Sequence, residues 1–467
     1  MPSPQASKRI HAERIARLND AEPRDGRDYV LYWMQASQRA ELNHALEYAI
    51  QKANDRGLPL VVGFGLTDRY PETNLRHKTF LLQGLRDVEA ALARRGIRLV
   101  VRLGEPDDVA VDLAERAALV VTDRGYLRHQ KKWRRNVAER CDAPVIRVET
   151  DVCVPVDVVS DKQEHAARTI RPKIHKHLED FLVDLRTTPV DRESLDLDLA
   201  GEDLADLDPL LDKMDLDRSV PASPRFTGGT TEAKRVFRRF LDERFDDYAD
   251  HRNQPQTSDT SYMSMHLHLG QISPIWLVLE ARQAKQHGKN IEGFEEELIV
   301  RRELAMNFVN FCPDYDRYDA IPDFARRTLA EHADDPREHR YTERELDDAE
   351  THDEYWNAAM REMRYTGYMH NYMRMYWGKK ILEWSESPQQ AFDTARRLNN
   401  KYFLDGRDPN SFTGVAWCFG LHDRGWTERE VFGKIRYMNA NGLKRKCDPE
   451  GYVAKVDALV EEVTGDR

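Results

Sequence analysis

A regular alternation of short apolar segments and amphipathic segments spans residues 28–150 and constrains the fold more than any other feature of the chain. The apolar segments are VLYWM, LPLVVGFGL, IRLVVRLG, ALVVTD and APVIRVE. They are almost continuously hydrophobic, as are strands of a parallel sheet that helices cover on both faces. We therefore predict an α/β domain with a Rossmann-like parallel sheet over residues 26–155, preceded by a polar N-terminal extension over residues 1–25.

The second half of the chain has a helical pattern. Segments such as EAKRVFRRFLDERFDDY and EEELIVRRELAMNFV carry apolar residues at helical spacing, and the chain of 467 residues is long enough for more than one domain. We predict an all-α domain over residues 226–467. Residues 156–225 are predicted to form an acidic interdomain linker, because the strand pattern fades there and residues 190–218 carry eleven acidic and three basic side chains.

Composition excludes several classes of protein. No apolar run approaches the roughly 18 residues of a membrane span, and the polar, basic N-terminus is unlike a secretory signal. The five cysteines are scattered without a CxxC pair, and neither GxGxxG nor GxxxxGK[ST] occurs. We expect a cytoplasmic protein, nucleoid-associated in a prokaryote, with no metal site.

The charge distribution points to one candidate partner. The net charge is −11, but the acidic residues 190–218 account for −8 of it, and residues 425–446 hold six Lys or Arg against two Glu. Such a basic stretch is compatible with nucleic acid, although most charged stretches are only solvated surface.

Three segments, TGYMHNYMRM, LDGRDPN and GVAW, follow one another within residues 366–417, and YWMQASQRAELNHALEYAI lies near the N-terminus. In order and spacing they resemble the photolyase and cryptochrome family, and the last segment resembles its class II branch. The resemblance covers the whole chain. It implies light-driven repair of cyclobutane pyrimidine dimers in UV-damaged DNA, by an electron from reduced, anionic FAD held in the helical domain.

The resemblance also implies how FAD is bound. The hydroxyl-rich segment 257–273 matches the family's phosphate loop, and helix capping is the alternative role of its hydroxyls. The loop departs from many relatives at Met265 and His266, where they carry proline and an aromatic residue. The hydroxyls implied to donate to the phosphates are those of Thr260, Ser261 and Ser264, and Tyr248, twelve residues before Thr260, is a further implied FAD contact.

Arg374 and Asp405 match a charge pair that the family places beside the flavin ring, where a fixed cation would stabilise the anionic flavin. The family also places an amide near flavin N5; Asn399 and Asn410 are the candidates, and we favour Asn399. The further implied flavin contacts are Arg301, Asn371, Gly406 and Arg407.

Glu297 matches the acidic residue that the family places against the dimer. A desolvated carboxyl group has a raised pKa, and in its neutral form it can donate a hydrogen bond to a base carbonyl that gains charge. Many class I relatives carry tryptophan where this chain has Val300. Trp417 and Met375 are the predicted apolar walls, and Arg252 is a further predicted contact.

Trp377 and Trp384 are seven residues apart and would share one stripe of a helix. Trp356, 21 residues before Trp377, extends that stripe only if the helix continues past Gly367. The alternative without a function is that these tryptophans only pack in the hydrophobic core. The resemblance implies instead that Trp356 and Trp377 relay electrons to the flavin, with Trp384 as an accessory.

The basic stretch supplies the predicted DNA contacts Lys434, Arg436, Lys444 and Arg445. Since repair requires the dimer to leave the duplex, these residues are suited to hold the backbone and fill the gap. We expect a monomer without an obligate protein partner. An antenna pigment, deazaflavin or folate, is left open by the sequence.

The sequence leaves two other functions open, a light sensor and a flavoprotein that uses no light. A cryptochrome-like sensor usually has a long extension after the flavin domain, whereas this chain stops about twenty residues beyond the basic stretch. A flavoprotein that uses no light would need a nicotinamide site. Repair of (6-4) photoproducts is disfavoured because His370 and His422 do not match the histidines expected for it.

Overall fold

A six-stranded sheet forms the N-terminal part of the structure, a computed structural model that describes residues 10–284 and 288–465. The strand order is β1-β6-β5-β2-β3-β4; β2 to β6 run parallel to their neighbours, and β1 pairs antiparallel with β6. The sequence pattern did not indicate β1, which lies inside the predicted extension; residues 1–9 lie outside the described residues. The strands are β1 Ile15–Arg17, β2 Tyr29–Trp33, β3 Leu60–Leu66, β4 Arg98–Leu103, β5 Ala117–Asp123 and β6 Val145–Val148.

Both faces of this sheet are buried, which explains why the strands are apolar without alternation. Along β2, Val30 and Tyr32 pack into one core and Leu31 and Trp33 into another on the opposite face. The helices of this half of the chain are α1 His44–Asn54, α2 Leu75–Ala93, α3 Pro106–Ala114, α4 Arg128–Arg140, α5 Val156–Val159, α6 Ala167–Phe181 and α7 Asp208–Lys213.

The acidic segment 190–218 packs tightly against the sheet domain. Its apolar side chains, including Leu204, Leu207 and Leu210, are buried in the core that contains β2 and β3, while most of its acids face solvent. The leucines have no regular spacing because only α7 is helical in this segment. Helix α6 packs instead with the helical domain, so the predicted linker contributes to both cores, and its limits stay a prediction.

The C-terminal part is helical, as predicted. Its helices are α8 Thr230–Glu243, α9 Tyr248–His251, α10 Ser264–His268, α11 Pro274–Gln283, α12 Lys289–Glu295, α13 Arg302–Phe311, α14 Asp323–Glu331, α15 Glu343–Asp347, α16 Glu354–Thr366, α17 Asn371–Trp384, α18 Pro388–Tyr402, α19 Pro409–Cys418, α20 Ala440–Lys444 and α21 Pro449–Thr464. A π-helix, Glu296–Arg301, joins α12 to α13, and short 3₁₀ turns occur at Ala12–Arg14, Phe245–Asp247 and Tyr318–Ala320.

Buried polar contacts fix the two parts against each other. Arg76 of α2 donates to the carbonyl oxygens of Met363 and Tyr402, at 3.1 Å each. The Arg302 guanidinium binds Asp151 at 2.9 Å. Since buried polar groups are costly to leave unpaired, these contacts favour one relative placement of the domains. Within the described residues, no helix is long and apolar enough to cross a membrane.

Candidate active site

Arg374 and Asp405 form a two-pronged ion pair in the helical domain. Both Nη atoms of Arg374, on α17, lie 3.0 Å from an oxygen of Asp405, which follows α18. The guanidinium carbon lies 4.0 Å from the ring centroid of Phe403, and Nε donates to Met369 O at 3.0 Å. The side chains are 22% and 10% exposed. The cation is thus fixed in direction by three groups, as planar recognition of a ligand requires.

The two candidate amides have different surroundings. Asn410 donates from its side chain to Asp408, the N-cap of α19, at 2.8 Å. Asn399 is buried on α18 and donates to Asn400 Oδ1 at 3.0 Å and to Ser411 Oγ. A Cβ at Gly406 would lie 2.9 Å from Asn399 O, so this turn requires glycine for close packing. Both amides thus have hydrogen-bond partners within the helical domain, and the choice of Asn399 stays a prediction.

Two further predicted flavin contacts, Arg407 and Asn371, make no hydrogen bond to the Arg374–Asp405 pair among the described residues, and their role stays a prediction. Arg407 is fully buried at the domain interface, where Nη1 is 3.0 Å from both ring nitrogens of His77 and 2.8 Å from Asn400 O. Burial lowers the pKa of Arg407 to about 10. Asn371 is exposed at the start of α17. In the sequence, Asn371 lies close to Arg374, and Arg407 lies close to Asp405. The turn after Gly406, however, directs the Arg407 side chain toward His77 of the sheet domain.

The hydroxyl-rich loop reaches the ion pair through Tyr368. Thr260 Oγ1 is 3.4 Å from Tyr368 Oη, and the Tyr368 ring centroid is 5.7 Å from the Arg374 guanidinium. The hydroxyls of Ser261 and Ser264 have no hydrogen-bond partner among the residues that the structure describes. Hydroxyls without a protein partner are available to donate to a ligand such as a pyrophosphate.

Packing accounts for the two departures in this loop. Met265 is buried with Phe80 and Leu404, and His266 is buried with Nδ1 3.0 Å from Gln271 Oε1. Burial lowers the pKa of His266 to about 4. Both side chains therefore face the protein core, which leaves the loop hydroxyls unaffected.

Tyr248, Arg252 and Glu297 come together at the edge of this region. Tyr248 is buried among Phe240, Phe245 and other rings, and burial raises the pKa of its hydroxyl. Arg252 Nη1 donates to Glu297 Oε1 at 2.7 Å. The desolvated setting expected for Glu297 is not present, because its side chain is 41% exposed and ion-paired.

Glu297 and Arg301 lie in the π-helix and not in a regular α-helix. The Arg301 guanidinium carbon lies 5.4 Å from the ring of Trp417, and its Nε donates to Glu296 at 2.9 Å. Arg301, predicted to bind flavin, thus contacts Trp417, a predicted dimer wall, and both roles stay predictions. Met375, the other predicted wall, is half-buried next to Arg374. π-Helical turns are frequent at functional sites.

The three tryptophans lie close together although the helix is interrupted. Helix α16 ends at Thr366, and Gly367 adopts φ +84°, so Trp356 lies on a different helix from Trp377 and Trp384. Trp356 Nε1 donates to Trp377 O at 3.0 Å, and the rings of Trp356 and Trp384 are 5.6 Å apart. The single stripe expected for a continuous helix is replaced by contacts between two helices.

The ring centroids of Trp377 and Phe403 are 6.4 Å apart, and the Arg374 guanidinium lies over the Phe403 ring. Trp377 Nε1 is buried and has no hydrogen-bond partner among the described residues. An aromatic path of buried residues therefore leads from the ion pair through Trp377 and Trp356 to Trp384. This buried, unpartnered donor and the hydroxyls of the loop fit a polar, ring-bearing ligand such as FAD.

Known proteins resemble the chain over nearly its full length. It is 51% identical over 453 residues to deoxyribodipyrimidine photo-lyase of Methanothermobacter thermautotrophicus, covering 97% of this chain and all of that one. The enzyme of the same name from Potorous tridactylus is 36% identical, with 96% and 85% covered. The model of the family described as DNA photolyase matches residues 30–192. The chain belongs to the DNA photolyase family.

Solved structures agree with this fold. An archaeal photolyase from Sulfolobus tokodaii with two FAD molecules has a TM-score of 0.70 at 17% identity, with 92% of this chain and 89% of that one covered. A class III photolyase from Agrobacterium tumefaciens gives 0.68 at 19% identity, with 93% and 87% covered. The predicted family, the two-part fold and the assignment as an enzyme are confirmed. The class II branch stays a prediction.

Sequence reasoning missed one feature of the basic stretch, Trp426, which is 41% exposed. The guanidinium carbons of Arg424 and Arg436 lie 5.4 and 5.7 Å from its ring. Trp426 N donates to Lys434 O at 2.8 Å, which joins the two arms of the loop. The tripeptide RGW in a polar loop was the available signal.

The other predicted DNA contacts differ in whether an acidic side chain already pairs with them. Lys434 and Arg445 are exposed, whereas Lys444 pairs with Glu450 at 2.8 Å. Lys434 also has a distant acidic neighbour, Glu428, at 3.7 Å. The exposed Arg424 and the half-buried Arg436 around Trp426 add two further cations to this surface.

A cleft lies between the sheet and the helical domain, with an empty volume of about 770 Å³ that is partly open to solvent. It is lined by residues that follow β2 and β3, such as Gln35 and Thr67, and by Trp133, Leu404 and Arg407. Lys78 projects into it, donates to Thr67 O, and has its pKa lowered to about 7 by burial. Clefts at the carboxyl ends of parallel strands commonly bind ligands.

Proposed function

We propose that the chain repairs cyclobutane pyrimidine dimers in DNA as a class II photolyase, using light and a reduced, anionic FAD held in the helical domain. The observation that carries the proposal is the rigid Arg374–Asp405 pair, with the aromatic path that begins at Phe403 and Trp377. When bound, FAD would supply one electron to the dimer and take it back after the ring opens.

The residues of the chain would prepare this transfer. Arg374 would lie beside the flavin ring and favour its anionic form by charge. Asn399 would hold the edge near N5, and the free hydroxyls of Ser261 and Ser264 would donate to the pyrophosphate. The relay through Trp356 and Trp377 would return oxidised flavin to its reduced state.

Glu297, Trp417 and Arg301 would surround the extruded dimer. Trp417 offers a flat apolar wall, and Arg301 lies on its ring. A dimer that reaches the site would displace water from the half-exposed Glu297 and Arg252 pair, and the N–H groups of Arg252 that Glu297 does not use would donate to a base carbonyl. Desolvation of Glu297 is thus proposed to occur on binding.

A second ligand is proposed for the cleft between the domains. Its apolar walls, the Arg407 guanidinium and the Lys78 amine suit a planar, negatively polarised antenna pigment, deazaflavin or folate. The protein would act as a monomer on DNA in the cytoplasm or nucleoid.

The decisive experiment measures light and dark repair of a dimer-containing oligonucleotide by purified protein whose absorption spectrum has been recorded. We expect one FAD per chain and repair only under light. A protein that contains FAD but repairs nothing would be a light sensor. Protein that is colourless and cannot be reconstituted with FAD would overturn the proposal.

The loop around Trp426 leads to a prediction about DNA binding. Arg436→Ala should weaken binding to dimer-containing duplex by about 1–2 kcal/mol while leaving dimer-containing single strand nearly unchanged, because filling the gap left by an extruded lesion matters only in duplex. Affinities for both substrates across a salt series would measure this. The control is Lys446→Ala, in the same basic stretch, which should affect duplex and single strand alike. Equal losses on both substrates with a shallower salt dependence would make Arg436 an ordinary phosphate contact.

A further inference from the structure

The aromatic path does not end at Trp384. The ring centroids of Tyr341 and His352 lie 5.3 and 5.4 Å from that of Trp384, both near edge-to-face. A second histidine, His339, stacks on His352 at 3.7 Å. Trp384 is only 2% exposed, whereas His352 is exposed. Tyr341 and His352 therefore lie between the tryptophan and solvent.

Tyr341 and His352 make two hydrogen bonds to each other. The backbone N–H of His352 donates to Tyr341 Oη at 3.0 Å. The same Oη lies 2.6 Å from His352 Nδ1. Since the backbone bond uses the hydroxyl oxygen as an acceptor, the phenol proton is directed at Nδ1. This requires a neutral imidazole, and burial together with the nearby His339 lowers the pKa of His352.

A cation also lies close to the tryptophan ring. Lys380 Nζ is 5.5 Å from the Trp384 ring centroid and pairs with Glu383 at 2.7 Å. A positive charge this close opposes a second positive charge on the ring, and Glu383 offsets part of that effect. An oxidised Trp384 is thereby disfavoured relative to an oxidised tyrosine that has given up its proton.

We propose that Tyr341 is the terminal electron donor of the tryptophan relay and that His352 Nδ1 accepts its proton. One electron moves from Tyr341 to the Trp384 radical cation, the phenol O–H bond breaks, and an N–H bond forms on His352. The products are neutral Trp384, a neutral Tyr341 radical and an imidazolium. A soluble thiolate then returns one electron to Tyr341, and His352 returns the proton.

The inference rests on the proposed relay, which supplies the oxidant. Its test is electron paramagnetic resonance of the flavin-containing protein, with oxidised flavin, frozen after illumination and carrying ring-deuterated tyrosine. We expect a tyrosyl signal that narrows with deuteration. Tyr341→Phe should abolish it and leave a tryptophan radical, whereas Tyr48→Phe, in the sheet domain, should leave it intact.

His352→Asn distinguishes proton acceptance from packing. Asparagine keeps a hydrogen-bond acceptor near the Nδ1 position but cannot hold the proton, so the tyrosyl signal should be lost although the protein stays folded. In the dark, ¹⁵N NMR of labelled histidine should show His352 Nδ1 as an acceptor, and Tyr341→Phe should remove that shift. This readout does not depend on light or turnover.

The outcomes separate the two proposals. A tryptophan radical without any tyrosyl signal in the unmodified protein would overturn the role of Tyr341 and leave the relay intact. Absence of every protein radical would overturn the relay and, with it, this inference. A tyrosyl signal that survives in Tyr341→Phe would also contradict the assignment.

Discussion

Arg374→Ala is expected to yield protein that purifies without flavin and is less stable by about 2–4 kcal/mol. The substitution leaves the Asp405 carboxylate, only 10% exposed, without its partner, and breaking a largely buried ion pair costs several kcal/mol because the remaining charge is uncompensated. It also removes the planar cation that lies over Phe403. The ratio of flavin to protein absorbance and the Tm would measure the two effects.

A set of variants separates charge from packing. Asp405→Asn added to Arg374→Ala should recover part of the stability, because no unpaired carboxylate remains, but should not recover flavin. Arg361→Ala breaks a more exposed pair with Asp457, formed at 2.7 Å with side chains 34% and 46% exposed, and should cost at most about 1 kcal/mol without flavin loss. Full flavin content in Arg374→Ala would disprove the role proposed for Arg374.

Much of the fold was predictable because its signals are local. The strands β2 to β6 are continuous apolar runs, and burial of both faces leaves no other arrangement for them. Strand β1 has three residues, and its pairing with β6 depends on a contact between Ile15 and Val148 that no local pattern encodes. The buried leucines of residues 190–218 were visible in sequence, but their attachment to the sheet domain is a long-range property.

The candidate site also has features that the sequence predicted and features that it did not. Arg374 and Asp405 were found through a motif, and the structure brings them together. Side-chain direction was not predictable for Arg407, because its φ of +65° turns it away from the pair toward His77. The exposed Trp426 lay outside every motif; the tripeptide RGW was its signal in the sequence, and the structure adds that its ring is exposed.

Trp377→Phe is expected to abolish photoreduction of oxidised FAD while enzyme reduced chemically beforehand still repairs dimers under light. The relay prepares the flavin and does not contact the dimer, so the two activities should separate. The substitution breaks no side-chain hydrogen bond, because Trp377 Nε1 has no partner among the described residues. Its structural cost is then the smaller ring in a buried position, about 1–2 kcal/mol.

The measurement compares flavin bleaching in the presence of a thiol with repair by dithionite-reduced protein. Trp276→Phe is the matched control: Trp276 is half-buried against Phe237, and Lys234 and Arg238 lie over its ring. We expect both activities to survive in that variant. If Trp377→Phe loses repair and photoreduction equally while retaining its flavin, Trp377 shapes the active site by packing.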